Sequence, residues 1–125
     1  MTVSTITQSD STPWIAFTPT ITAATGTFTS VSAVSRYKLL GKTCIYEGTI
    51  TVTTVGSAAS SIITDLPTAA FQAGAVGVVK ETALTTYTGS ILLTSTTATS
   101  ILNYAGVTMA ATGASIKFSL IYEIA

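Results

Sequence analysis

Histidine is absent from this 125-residue chain, cysteine occurs once, and charged residues make up only 8% of it. Without His, none of the many Ser and Thr hydroxyls has the usual base to activate it, and the lone thiol, Cys44, lacks the partner a catalytic cysteine needs. The five carboxylates, Asp10, Glu47, Asp65, Glu81 and Glu123, are scattered singly, so a paired-carboxylate glycosidase would have to assemble from distant segments. The same scarcity removes the familiar metal sites, which need His, several Cys or an acidic cluster. Gly74-Ala75-Val76-Gly77 lacks the Lys-Ser or Lys-Thr that completes a phosphate loop. No enzyme, metal or cofactor is expected.

Charge of one sign is missing too. Arg36, Lys38, Lys42, Lys80 and Lys117 balance the five acids to a formal net charge of zero, with no run of either sign. Nucleic-acid affinity draws on neutralised phosphates, so nucleic acid is not an expected partner. No apolar run approaches the ~18 residues that suggest a membrane helix, and a lipid-facing barrel would want Leu where these segments carry Thr. The opening MTVSTITQSDST has neither the basic end nor the apolar run of a signal peptide, and a fragment of a longer protein is an equally open reading. Cys44 cannot form an intrachain disulfide and reads as a buried free thiol, consistent with assembly in a reducing cytoplasm.

What the chain does have is threonine and serine, 27 and 14 residues respectively. β-Branched Thr fits a pleated surface while keeping its hydroxyl in water, so the composition suits exposed faces of strands. The length fits one domain with a core of its own. At 47% hydrophobic residues the chain is greasy for a lone soluble subunit, which implies apolar surface hidden against partner copies.

Period-two alternation is the main structural signal. In Lys42 to Thr53, Cys44, Tyr46, Gly48, Ile50 and Val52 share one face and Thr43, Glu47, Thr49, Thr51 and Thr53 the other. Ser115 to Ile124 repeats the scheme, with Ile116, Phe118, Leu120 and Tyr122 facing inward. Ile45 and Ile121 break the two patterns and are candidates for subunit contact, a second sheet or a crossing loop. Shorter strand candidates are Trp14 to Thr18, Thr27 to Val34, Arg36 to Leu40, Ser61 to Leu66, Gly77 to Glu81, Ser90 to Ser95, Ser100 to Tyr104 and Val107 to Ala110. Gly26, Gly41, Gly56, Gly89, Gly106 and Gly113 divide them, and Pro19 and Pro67 mark strand ends. Pro67 to Gly77 reads as a loop. The expected fold is all-β, an antiparallel β-sandwich of jelly-roll type over residues 14–125, led by an N-terminal arm or linker at 1–13.

The order of landmarks is specific: WIAFTPTIT, then GTFTSVSAVSRYKLLGKTCIYEGTITVTT, then SSIITDLP, with IKFSLIYEI at the close. Trp14, Thr18, Pro19, Gly26, Phe28, Arg36, Tyr37, Gly41, Lys42, Leu66 and Pro67, with Tyr122 and Glu123 at the end, carry a resemblance to the β-sandwich head domains at the ends of tailed-phage fibres and related prophage proteins. The resemblance covers roughly the first half and the last ten residues; Cys44 departs from it where Val or a similar residue is expected. It implies a homotrimer at the end of a stalk, whose head attaches a virion's fibre tip to bacterial surface glycans without chemistry. A bacterial surface-adhesin tip, or a structural trimerisation cap or capsid decoration, are the rival readings.

Within that frame, Tyr87 in TTYTGS and Asn103 with Tyr104 in LNYAG are the candidate ligand-binding residues, because they set aromatic and amide groups beside Gly turns. Aromatic faces stack on sugars and amides both donate to and accept from hydroxyls. Gln72, next to Phe71, extends the same idea. Trp14, Ile45 and Ile121 are the candidate interface residues, with sugar stacking the alternative for Trp14. Arg36 and Lys38, projecting opposite to Tyr37, would meet an anionic sugar or a neighbour's carboxylate, or simply form a solvated face.

Overall fold

In the computed structural model, which describes residues 13–125, every regular element is a strand. In chain order they are β1 (Ile15–Phe17), β2 (Ile21–Thr25), β3 (Ser30–Leu40), β4 (Thr43–Thr54), β5 (Ala59–Asp65), β6 (Val76–Glu81), β7 (Thr88–Leu93), β8 (Ala98–Asn103) and β9 (Ser115–Glu123). All pairings are antiparallel, and the strands hydrogen-bond into one sheet in the order β1-β3-β4-β9-β6-β7-β8-β5-β2. The expected arm falls almost wholly on residues 1–12, outside the described residues.

The chain itself forces this sheet to bend. β1 and β2 sit at opposite edges, yet only Thr18, Pro19 and Thr20 separate them. Four residue steps span no more than about 14 Å, whereas nine strands laid flat at ~4.8 Å spacing would hold the edges nearly 40 Å apart. The sheet therefore curls into a half-barrel. Across its hollow, the Tyr46 hydroxyl on β4 meets Thr64 Oγ1 on β5 at 3.1 Å, although these strands lie five places apart in the sheet order. The sequence reading divides the strands between two stacked sheets; here the hydrogen bonding is continuous and the curl alone brings inner faces together.

The inner face is the core. Cys44, Tyr46, Ile50 and Val52 of β4 and Ile116, Phe118, Leu120 and Tyr122 of β9 are buried, as the alternation predicts. Ile62, Val79, Ile91, Leu93 and Ile101 of the other strands complete it. Each fully buried Ile or Leu contributes about 1.5–3 kcal/mol. Gly48 belongs to this face because nothing larger fits: a Cβ there would lie 2.6 Å from Ser35 Cβ and 2.9 Å from Phe118 Cζ. The space it leaves lets Phe118 lean edge-on against Tyr46, with ring centroids 4.9 Å apart. Buried polar atoms are satisfied: the Tyr46 hydroxyl reaches the Asp65 carbonyl at 3.3 Å, and Tyr122 donates to the Thr68 carbonyl at 2.8 Å. Burial pushes the Tyr46 phenol up to about 12 and raises Cys44 as well, so both stay neutral at ordinary pH.

Three strand expectations are corrected. The segments Thr27 to Val34 and Arg36 to Leu40 are one strand, β3, because Ser35 does not break it but faces inward and donates to the Phe17 carbonyl. Ile21–Thr25, a run of Thr and Ala with weak alternation, is the edge strand β2. Val107 to Ala110 is not a strand and belongs to the loop between β8 and β9. The Pro67 to Gly77 loop is as expected until β6 starts at Val76.

The registers sort the loops into two ends. The β2–β3, β4–β5, β6–β7 and β8–β9 connections gather at one, called here the tip; the β3–β4, β5–β6 and β7–β8 connections gather at the other. The residues leading into β1 and the final residue Ala125 lie at that second, entry end, where the Lys42 ammonium reaches the Ala125 carbonyl oxygen at 3.2 Å.

Candidate functional site

At the tip, two loops carry most of the exposed large side chains of that end. The β6–β7 loop presents Leu84 and Tyr87, and the β8–β9 loop presents Tyr104 and Val107. Tyr87 and Tyr104 meet edge to face, ring centroids 5.4 Å apart at 85°, yet stay 46% and 71% exposed. Beside them is a hollow of about 240 Å³ lined by Leu84, Tyr87, Asn103, Val107 and Met109. Its size and apolar walls suit one ring of a ligand rather than a whole drug-sized molecule.

Two inward polar side chains shape these loops. Glu81, the last residue of β6, is 2% exposed, and its carboxylate accepts backbone N–H groups from Ala83 (2.8 Å), Leu84 (2.6 Å), Thr85 (2.8 Å), Thr86 (3.3 Å) and Ser115 (3.0 Å). The loop winds around that charge, which also ties it to the start of β9. Burial alone would push the Glu81 pKa up; the backbone donors outweigh it and bring it down to about 2. A carboxylate so saturated is a poor base. Asn103 does the matching work on β8, its Oδ1 accepting from Ala105 N and Val107 N, both at 2.9 Å. This is an Asx-type turn, and Gly106, at φ +73°, supplies the left-handed residue the turn requires.

The candidate residues are therefore only partly brought together. Tyr87 and Tyr104 form one exposed pair, while Asn103, expected to meet a ligand directly, is buried to 9% exposure and builds the turn that carries Tyr104. Gln72 lies at the entry end beside Ile121 and Glu123, the length of β9 away from the tyrosines. Leu84, Val107 and Met109 escape sequence reading as site residues: Leu84 sits in a loop without periodicity, and Val107 and Met109 fall in the run read as a strand. Glu81 had a signal: it shares the inward parity of Val79 in β6.

The interface candidates fall on the convex face. Ile45 and Ile121 are direct cross-strand partners on β4 and β9. Continuing the β9–β6 and β6–β7 registers sets Val76 and Leu92 in the same row, and Ile121, Val76 and Leu92 are exposed. Trp14 stacks on the Arg36 guanidinium, 4.3 Å from ring centroid to Cζ, and Arg36 pairs with Glu47 at 2.7 Å. Lys38, opposite Ile45, lies on this face too. Among the described residues no group of His, Cys, Asp or Glu is arranged to hold a metal ion.

A scan against protein-family models finds no match, and searches among curated proteins and solved structures find none either. What the chain does must be read from its own geometry.

Proposed function

We propose that the protein is a non-enzymatic attachment module, the receptor-binding head of a trimeric phage fibre that grips bacterial surface glycans with its tip. One observation carries the reading: the exposed Tyr87–Tyr104 pair and its hollow sit at the end opposite to the one where the chain enters and leaves the sheet. A stalk joined before Pro13 would hold the entry end, leaving the aromatic pair foremost. Aromatic faces flanked by Thr hydroxyls suit sugar rings, which offer apolar faces and hydroxyls together. Among the described residues the one carboxylate beside the hollow, Glu81, is committed to five N–H donors, which favours binding over hydrolysis. Each such site is shallow, and three copies on one axis would multiply avidity through effective concentration.

Trimer formation is part of the proposal, and the in-register row of Ile45, Ile121, Val76 and Leu92 is the surface that supports it. That row also favours a second reading, a cap that registers three stalk chains and binds nothing. Light scattering on the full chain is expected to give three copies at micromolar concentration, and Ile121→Asp to shift the mass to one. A glycan array probed with the assembled protein then separates the readings. Retention on a subset of glycans supports attachment, and a trimer silent across the array leaves the cap.

A further inference from the structure

The convex face holds a second feature, independent of the tip. Lys80 on β6 and Lys117 on β9 are direct cross-strand partners, both exposed on the outer side of the sheet. Opposed residues have Cβ atoms about 5 Å apart, and like charges so placed destabilise a sheet. Among the described residues no carboxylate pairs with them. Lys80 donates to the Thr86 carbonyl at 2.6 Å and Lys117 to Thr49 Oγ1 at 3.2 Å, one bond from each three-donor ammonium. The nearby acids are engaged elsewhere: Glu47 holds Arg36, and Glu81 faces inward into its backbone nest.

Two hollows flank the pair and share Lys117 and Phe118. One, of about 520 Å³, runs over Gly48 between Val34, Arg36, Glu47 and Thr49. The other, of about 290 Å³, lies between Val78, Lys80, Thr88 and Ser119. They adjoin at Lys117 and Phe118, so the trough they define crosses β3, β4, β9 and β6, with Val34 and Val78 among its apolar lining and Thr49, Thr88 and Ser119 among its hydroxyl-bearing lining. It lies nearer the tip than the Ile45–Ile121 row.

The geometry points to this trough as a binding groove for an acidic polysaccharide, a carboxylate-bearing sugar chain laid across the strands with its negative groups at Lys80 and Lys117. The spacing favours a sugar acid over nucleic acid. Two cations on adjacent strands, with Arg36 already paired to Glu47, match a sparsely charged sugar polymer, whereas duplex DNA carries one charge per ~1.7 Å and calls for a basic stripe this neutral chain lacks. Apolar walls with hydroxyl rims match the faces and edges of pyranose rings. A cation pair that opposes folding, bonded only to uncharged oxygens among the described residues, is accounted for by an external anion.

The test uses the full chain and three immobilised probes: polygalacturonate, uncharged dextran of similar length, and single-stranded oligothymidylate. Retention on polygalacturonate, weakening as salt rises and at least tenfold stronger than on dextran, is expected. Lys117→Glu should abolish it while raising the melting temperature, since a Lys–Glu pair replaces a repulsive one; that variant remains folded, so its loss of binding is informative. Gln72→Ala, at the entry end, should leave retention unchanged, and Lys117→Glu should keep the wild type's retention on uncharged array glycans, which distinguishes this groove from the tip. Equal retention on dextran, tighter binding to oligothymidylate, no binding at all, or undiminished binding by Lys117→Glu would each overturn the proposal. So would a change of assembled mass in Lys117→Glu, which would assign the lysines to contact between copies.

Discussion

The two ends of the half-barrel are closed by different means. At the entry end, main chain meets main chain: Ile124 N donates to the Lys42 carbonyl, Phe71 N to Glu123, and Ala125 N to Ala69. Large apolar side chains, Leu40 and Phe71, are exposed there too, but singly, and no buried charge gathers the loop around Gln72. At the tip, two buried polar side chains, Glu81 and Asn103, gather seven backbone N–H groups between them, and the loops they hold push large apolar rings into solvent. An end that only needs closing is served by backbone pairing. Holding exposed aromatics in one arrangement takes internal scaffolding, which is what preorganisation of a binding surface requires.

The sharpest way to break this contrast is Glu81→Ala, which strips five N–H groups of their acceptor at once. A loss of at least about 3 kcal/mol is expected, since each buried unsatisfied donor costs roughly 1–3 kcal/mol even after water relieves some of them. Thermal melting should drop by on the order of 10 °C. The same carboxylate sets an acid limb. Its folded pKa of about 2 lies below the ordinary 4.5, so its contribution is fully present above pH 4.5 and disappears as the pH falls through about 2. Urea titrations between pH 2 and 5 should show stability rising with pH in the wild type, and a flatter limb in Glu81→Gln.

Asn103→Ala comes next, at about 1–2 kcal/mol, with hydrogen exchange accelerated at the Ala105 and Val107 amides rather than along the strands. Smallest is Tyr104→Ala. At 71% exposure the ring supports little besides its contact with Tyr87, so the unfolding midpoint in urea should move by less than about 1 kcal/mol.

Much of the frame was legible because β4 and β9 are central and paired along nearly their whole length, with one face buried and one wet; Tyr46, Ile50, Phe118 and Leu120 announce themselves by parity. β2 was not, because an edge strand of Thr and Ala buries little and leaves no alternation. The single curled sheet was illegible for another reason: it depends on β6 pairing with β9 and β5 with β8, long-range choices that no local pattern encodes. That also hid the facing of Lys80 and Lys117, which are 37 positions apart. At the tip, Tyr87 and Tyr104 were visible as aromatics beside Gly turns, whereas the inward turn of Asn103 follows from the hydrogen bonds it finds only once the loop closes.

The contrast between the ends is tested most directly by comparing Tyr104→Ala with Gln72→Ala on whichever uncharged array glycan retains the wild type best. The account predicts at least a tenfold loss for Tyr104→Ala and none for Gln72→Ala, both folded by circular dichroism and assembled as the parent. Undiminished retention by Tyr104→Ala, or a loss confined to Gln72→Ala, would contradict it.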